Sequence, residues 1–80
     1  MFDSTCQIRR AGVRDDGRAM LDLKATDGTF DWSWFLSSVA NADRVLAAAL
    51  TAIATNKNVY CTINDPVAPG AVVANFGLVA

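Results

Sequence analysis

Histidine is absent from this 80-residue chain. Without it, the general base of Ser-His-Asp and Cys-His catalysis is missing, and so is the imidazole that many zinc sites use. Cysteine is scarce: Cys6 and Cys61 are the only two, too far apart in sequence for C-x-x-C redox or metal chemistry. No Walker or G-x-G-x-x-G pattern occurs. No apolar run approaches the roughly 18 residues of a membrane-spanning helix, so no transmembrane segment is expected. The start, Met1-Phe2-Asp3-Ser4-Thr5, has no basic n-region and no apolar h-region, so no secretory signal is expected in the chain as it stands. Charge of one sign is not in excess either. Seven basic side chains stand against eight acidic ones, whereas a free-standing nucleic-acid module reads as clearly basic. The pair Asp15-Asp16 has the composition of an acid/base dyad, but beside Gly17 it reads as a solvated turn. No catalytic residue, cofactor site or metal ligand can be named, and the expectation is a protein that is not an enzyme.

What remains is one small domain, residues 1–80. A chain of this size buries only about 60% of the surface its unfolded form exposes, so its core alone leaves stability marginal. A disulfide, a metal or a partner subunit usually supplies the rest.

Hydrophobic periodicity divides the chain into five strands and one helix. Residues 4–14 alternate loosely, with Cys6 and Ile8 on one side and Gln7 and Arg9 on the other. The phase slips near Arg10, so that Ala11 and Val13 continue the apolar side; with Gly12 adjacent, this is the signature of a β-bulge. Asp15-Asp16-Gly17 supplies a tight turn before a second strand over 18–26, where Leu21, Leu23 and Ala25 oppose Asp22 and Lys24. Asp27-Gly28 supplies another turn, and 29–37 reads as a third strand with Phe30, Trp32, Trp34 and Leu36 on one face. The period then becomes helical. The segment 42–56 is rich in Ala and free of Gly and Pro. Asn41 suits the N-cap, Asp43 the first turn, and Asn56 the left-handed position that ends the helix. Leu46, Leu50 and Ile53, flanked by Ala42 and Ala49, form its expected core face. Strands over 58–64 and 71–79, separated by a Pro/Gly loop, complete the chain.

The fold class that follows is mainly β (α+β), a five-stranded OB-like barrel of order β-β-β-α-β-β with one Ala-rich helix between strands three and four. From the helix onward, the Ala-rich segment, the Asn56-Lys57-Asn58-Val59 turn, the short strand, the Pro/Gly loop and the terminal strand resemble the pentameric receptor-binding B subunits of AB-type bacterial toxins, the subtilase-cytotoxin-like group in particular. The resemblance is one of pattern over most of the chain. It implies a small OB barrel, a ring of five copies with helices at its centre, an outer surface that binds glycans, and a secreted or periplasmic location if a disulfide also forms.

In a barrel of this kind the first strand pairs with the fourth, which brings Cys6 near Cys61. If bonded they would close a loop of about 55 residues, worth roughly 4 kcal/mol by chain-entropy reasoning. The other reading is two buried free thiols acting as small apolar side chains. Trp32 and Trp34 also have two readings. Their shared phase with Phe30 and Leu36 suggests a barrel core or subunit boundary. Aromatic side chains on this strand, beside the basic cluster of Arg9, Arg10, Arg14, Arg18 and Lys24 on the first two strands and their turn, would instead suit a ligand surface, with Arg14 and Arg18 its expected cations. The back of the helix holds Arg44, Ala48, Thr51 and Thr55, with Val45 and Ala52 adjoining, and carries no charge between Arg44 and Lys57. That face is the expected interface of a homo-oligomer. The leading functional expectation is therefore a self-assembling binding subunit, with a glycan or a protein as its partner. A single-stranded nucleic-acid-binding OB domain and a structural oligomer are the alternatives.

Overall fold

Turn chemistry and one bulge shape the first half of the sheet. In the computed structural model, which describes residues 1–79, β1 (Phe2–Val13) and β2 (Ala19–Ala25) pair antiparallel, with a register shift between Ile8 and Arg10. The bulge lies where the alternation slips. Gly17, at φ 88°, closes the intervening turn: its N–H donates to Arg14 O at 3.1 Å. Gly28, at φ 83°, turns the chain out of β2. β3 (Ser33–Leu36) then pairs with β2, the helix α1 (Ala42–Thr55) crosses over, and β4 (Val59–Ile63) and β5 (Val73–Leu78) follow. All five strands form one sheet in the order β3-β2-β1-β4-β5, every neighbouring pair antiparallel. The expected element order β-β-β-α-β-β is the observed one.

The sheet is not closed as a barrel. Its two edge strands, β3 and β5, approach each other at one end only, through a single parallel bridge between Leu36 and Val72. There the Leu36 N–H donates to Ala71 O at 3.0 Å and the Gly70 N–H to Trp34 O at 2.7 Å.

The core lies between the concave face of the sheet and α1. Leu21 and Leu23 of β2, Val59, Cys61 and Ile63 of β4, Cys6 of β1, Phe35 of β3 and Val73 of β5 are all buried. From the helix come Ala42, Val45, Ala49 and Ala52. This corrects the expected helix orientation. Val45 and Ala52, assigned by sequence to an oligomer interface, belong to the core, while Leu50 is 50% exposed and Leu46 and Ile53 are half-buried. The reason is steric: α1 packs against β1, β2 and β5, and a stripe of Ala and Val lets its backbone approach the sheet more closely than a leucine stripe would. Of the other residues assigned to that interface, Arg44, Thr51 and Thr55 are exposed and Ala48 is half-buried. The helix ends as its sequence implies, with Asn56 at φ 55° and its N–H on Ala52 and Ile53 carbonyls. Its start differs in detail. Asn41 is the N-cap by position, but its side-chain oxygen accepts from the Ser38 hydroxyl at 2.7 Å instead of capping.

The third strand is shorter than expected and reversed in phase. Between β2 and β3 the chain kinks at Asp31, whose carboxylate accepts from Trp32 N–H at 2.9 Å while its carbonyl accepts from the Ser33 hydroxyl at 3.0 Å. That kink resets the alternation counted from Phe30. Phe30 still reaches the core from the loop, its ring 5.1 Å from Phe2 and 4.9 Å from Phe35. Phe35 takes the inward position, and Trp34 turns out, 39% exposed. The core reading of the tryptophans, one of two alternatives beside a subunit boundary, is overturned for Trp34; Trp32 is half-buried. No helix of the described residues is long and apolar enough to cross a membrane.

Candidate ligand-binding face

The outer face of β1–β3 is organised around one carboxylate. The bulge after Ile8 sets both Arg9 and Arg10 toward Asp22, which lies opposite Arg10 on one side and Trp34 on the other. Arg9 Nε donates to Asp22 Oδ2 at 2.7 Å, and Arg10 donates to the same oxygen from Nε at 3.0 Å and Nη2 at 2.9 Å. Asp22 is only 1% exposed, roofed by two guanidinium groups that themselves reach solvent. Each guanidinium lies over an indole: Arg9 is 4.4 Å from the Trp32 ring centre and Arg10 5.2 Å from that of Trp34. Such pairs are cation–π contacts, worth about 0.5–1 kcal/mol at exposed sites. Two cations on one carboxylate leave a surplus of one positive charge. Next to this group, Lys24 Nζ lies 4.0 Å from Asp31.

Beside Arg9 and Trp32 the surface opens into a cleft of about 290 Å³, lined by Gln7, Ile8, Arg9, Trp32, Asn56, Lys57 and Asn58. Three separate pieces of chain meet here: the outer row of β1, the loop before β3, and the turn that leaves α1. The left-handed Asn56 makes that turn. The cleft therefore combines an aromatic wall, three carboxamides and two cations. Carboxamides both donate and accept hydrogen bonds, so they can match hydroxyl groups of either polarity. Two larger clefts, each about 380 Å³, lie in the loop before β5 and beside the N-terminus, and neither is lined by Arg, Lys or Trp.

Sequence reasoning placed Arg9, Arg10, Arg14, Arg18 and Lys24 in one basic cluster and singled out Arg14 and Arg18 to accompany Trp32 and Trp34 on this surface. The structure places those two arginines in the β1–β2 turn, sharing Asp16 at 3.7 and 3.8 Å. Arg9 and Arg10 stack on the tryptophans instead. Asp22, Gln7 and the 56–58 turn were missed. The available signal was Asp22 itself, an acid in mid-strand opposite a bulge that carries two arginines.

The cysteines do lie on paired strands, β1 and β4, but two residues out of step: Cys6 faces Val59, and Cys61 faces Ser4. Both are free, fully buried thiols on a diagonal of the ladder. The Cys61 thiol is pushed far up by its hydrogen bond with Cys6, then by burial and by the charge a Cys6 thiolate would carry. Ionisation of Cys61 is therefore suppressed in the folded protein and permitted in the unfolded one. Stability is complete below the ordinary thiol pKa and falls as pH rises above it, by about 1.4 kcal/mol per pH unit for one proton. Urea midpoints are expected to drop above about pH 9, and a Cys61→Ala variant should lose that part of the slope. Thiol reagents should find two reactive groups in denaturant and almost none in the native protein.

Compared with known protein families, with curated proteins and with solved structures, the chain matches no family model, no curated protein and no solved structure.

Proposed function

We propose that this chain is a non-catalytic glycan-binding domain of OB-like architecture, resembling toxin B subunits in sequence pattern, that works as an assembly of copies. The element order, the pairing of β1 with both β2 and β4, and the parallel bridge between Leu36 and Val72 support the OB-like reading. The histidine-free sequence supports the non-catalytic one.

The observation that carries the proposal is the Trp32 cleft. A sugar ring offers an apolar C–H face to an indole and a rim of hydroxyls to amides, and Gln7, Asn56 and Asn58 supply those amides around Trp32. A space of about 290 Å³ suits one or two sugar residues. Contacts that few give weak affinity per site, and repetition across an assembly multiplies it.

Screening immobilised oligosaccharides with wild type, Trp32→Ala and Trp34→Ala tests this reading. Trp32→Ala is expected to lose about tenfold in affinity, which corresponds to ~1.4 kcal/mol of ring contact. Trp34→Ala, outside the cleft, should bind like wild type. The two Arg–Trp pairs favour a second reading, single-stranded nucleic acid. A surplus of one charge would neutralise few phosphates, so this reading is the weaker. Oligonucleotide binding with a steep salt dependence, and no saccharide bound, would establish it in place of the first.

A further inference from the structure

One flank of α1, between its core face and solvent, is apolar and only partly covered by its own chain: Leu46 packs against the core and Ile53 is half-buried, while Leu50 is half exposed. Leu46, Leu50 and Ile53 run along it at i, i+4 and i+7, with Leu50 half exposed, and the exposed Ala47 and Ala54 border them. That spacing is a two-turn apolar seam of the kind that packs against another helix. The charges at its ends decide what the other helix is. Asp43 stands in the first turn and Lys57 immediately follows the last, both exposed, neither in an ion pair among the described residues. Leu50 lies midway between them in sequence.

We propose that α1 packs against α1 of a second copy of this chain, antiparallel, about a two-fold axis at Leu50. In that arrangement Leu50 meets Leu50, Leu46 lies beside Ile53 of the other copy, and Asp43 faces Lys57 at both ends. The surface is self-complementary in shape order and in charge, as an isologous interface requires. A parallel pair would set Asp43 against Asp43 and Lys57 against Lys57, and like charges disfavour it. The inference stands whichever ligand the Trp32 cleft takes. Lys57 also borders that cleft, so the pairing sets one cleft near each end of the joined helices.

Sedimentation equilibrium reads the outcome without any ligand. Wild type is expected at twice the 8.5 kDa chain mass. Asp43→Lys and Lys57→Asp, each alone, bring like charges together at both ends and should sediment at the single-chain mass. Their equimolar mixture should recover the doubled mass, because each charge then meets its opposite. Leu50→Asp, at a half-exposed site outside the core, should give single chains with an unchanged circular dichroism spectrum. Wild type at single-chain mass over the whole concentration range overturns the proposal. So does a ring of five, an unchanged mass in the charge variants, or a mixture that stays dissociated.

Discussion

Truncating Arg9 and Arg10 together to alanine is expected to cost about 2–3 kcal/mol of folding stability, more than either single change. Asp22 is 1% exposed, and its hydrogen bonds to side chains come from these two guanidinium groups. With one arginine left, the carboxylate keeps a charge-assisted partner, so a single truncation should cost only about 1–2 kcal/mol. With neither, the carboxylate loses both charged partners, and because the same truncation removes its cover, hydration offsets part of the loss. Replacing Asp22 by leucine in the doubly truncated background should recover most of the loss. Urea denaturation of the four variants checks this. If the double truncation costs no more than either single one, Asp22 is not the keystone of the face. The same pairs hold Arg9 at the edge of the cleft, so the singly truncated Arg9 variant should also weaken ligand binding while remaining folded.

Phe35→Ala is expected to cost about 3–5 kcal/mol, whereas Trp34→Ala, one residue away, should cost about 1 kcal/mol. Phe35 is 1% exposed, in ring contact with Phe30, while Trp34 lies outside, 39% exposed under Arg10. A domain of this length has roughly 4–12 kcal/mol in total, and each kcal/mol is worth about 4–8 °C in melting temperature. Phe35→Ala should therefore melt about 12–40 °C below wild type, and Trp34→Ala only about 4–8 °C below it. Thermal denaturation followed by circular dichroism distinguishes the two. The opposite order would restore the phase that alternation from Phe30 implies.

That reversal shows where sequence reading succeeds on this chain and where it stops. Features with a local cause were legible: the slip at Arg10, the Gly17 turn, and the left-handed Asn56 all follow from the chemistry of a few adjacent residues. The pairing of the first and fourth strands was legible through element order, but not its register. Alternation tells which face Cys6 and Cys61 share and is silent about a shift of two residues, which leaves every side chain on the same face. The phase of β3 was lost at Asp31, where side chain and carbonyl both bond to the next two residues and kink the chain. The helix misled by size. Summed hydrophobicity favours the Leu46–Leu50–Ile53 side, but close packing on the sheet selects Ala42, Val45, Ala49 and Ala52. Of the larger residues, Leu46 and Ile53 are pushed to the flank and half-covered, and Leu50 is left exposed on the surface assigned above to a second copy. The cleft could not be read from the sequence because its walls come from three distant segments, joined only by the fold.

The central claim is that Trp32, with the amides of the 56–58 turn, contacts a saccharide. The chain contains only two tryptophans, so a ¹⁵N–¹H spectrum shows two indole N–H signals, assignable with Trp32→Phe and Trp34→Phe. Titration with an oligosaccharide taken from the screen should move the Trp32 indole signal together with the side-chain amides of Gln7, Asn56 and Asn58, and leave the Trp34 indole in place. An unmoved Trp32 signal under saturating saccharide would contradict the account, as would a response confined to Trp34.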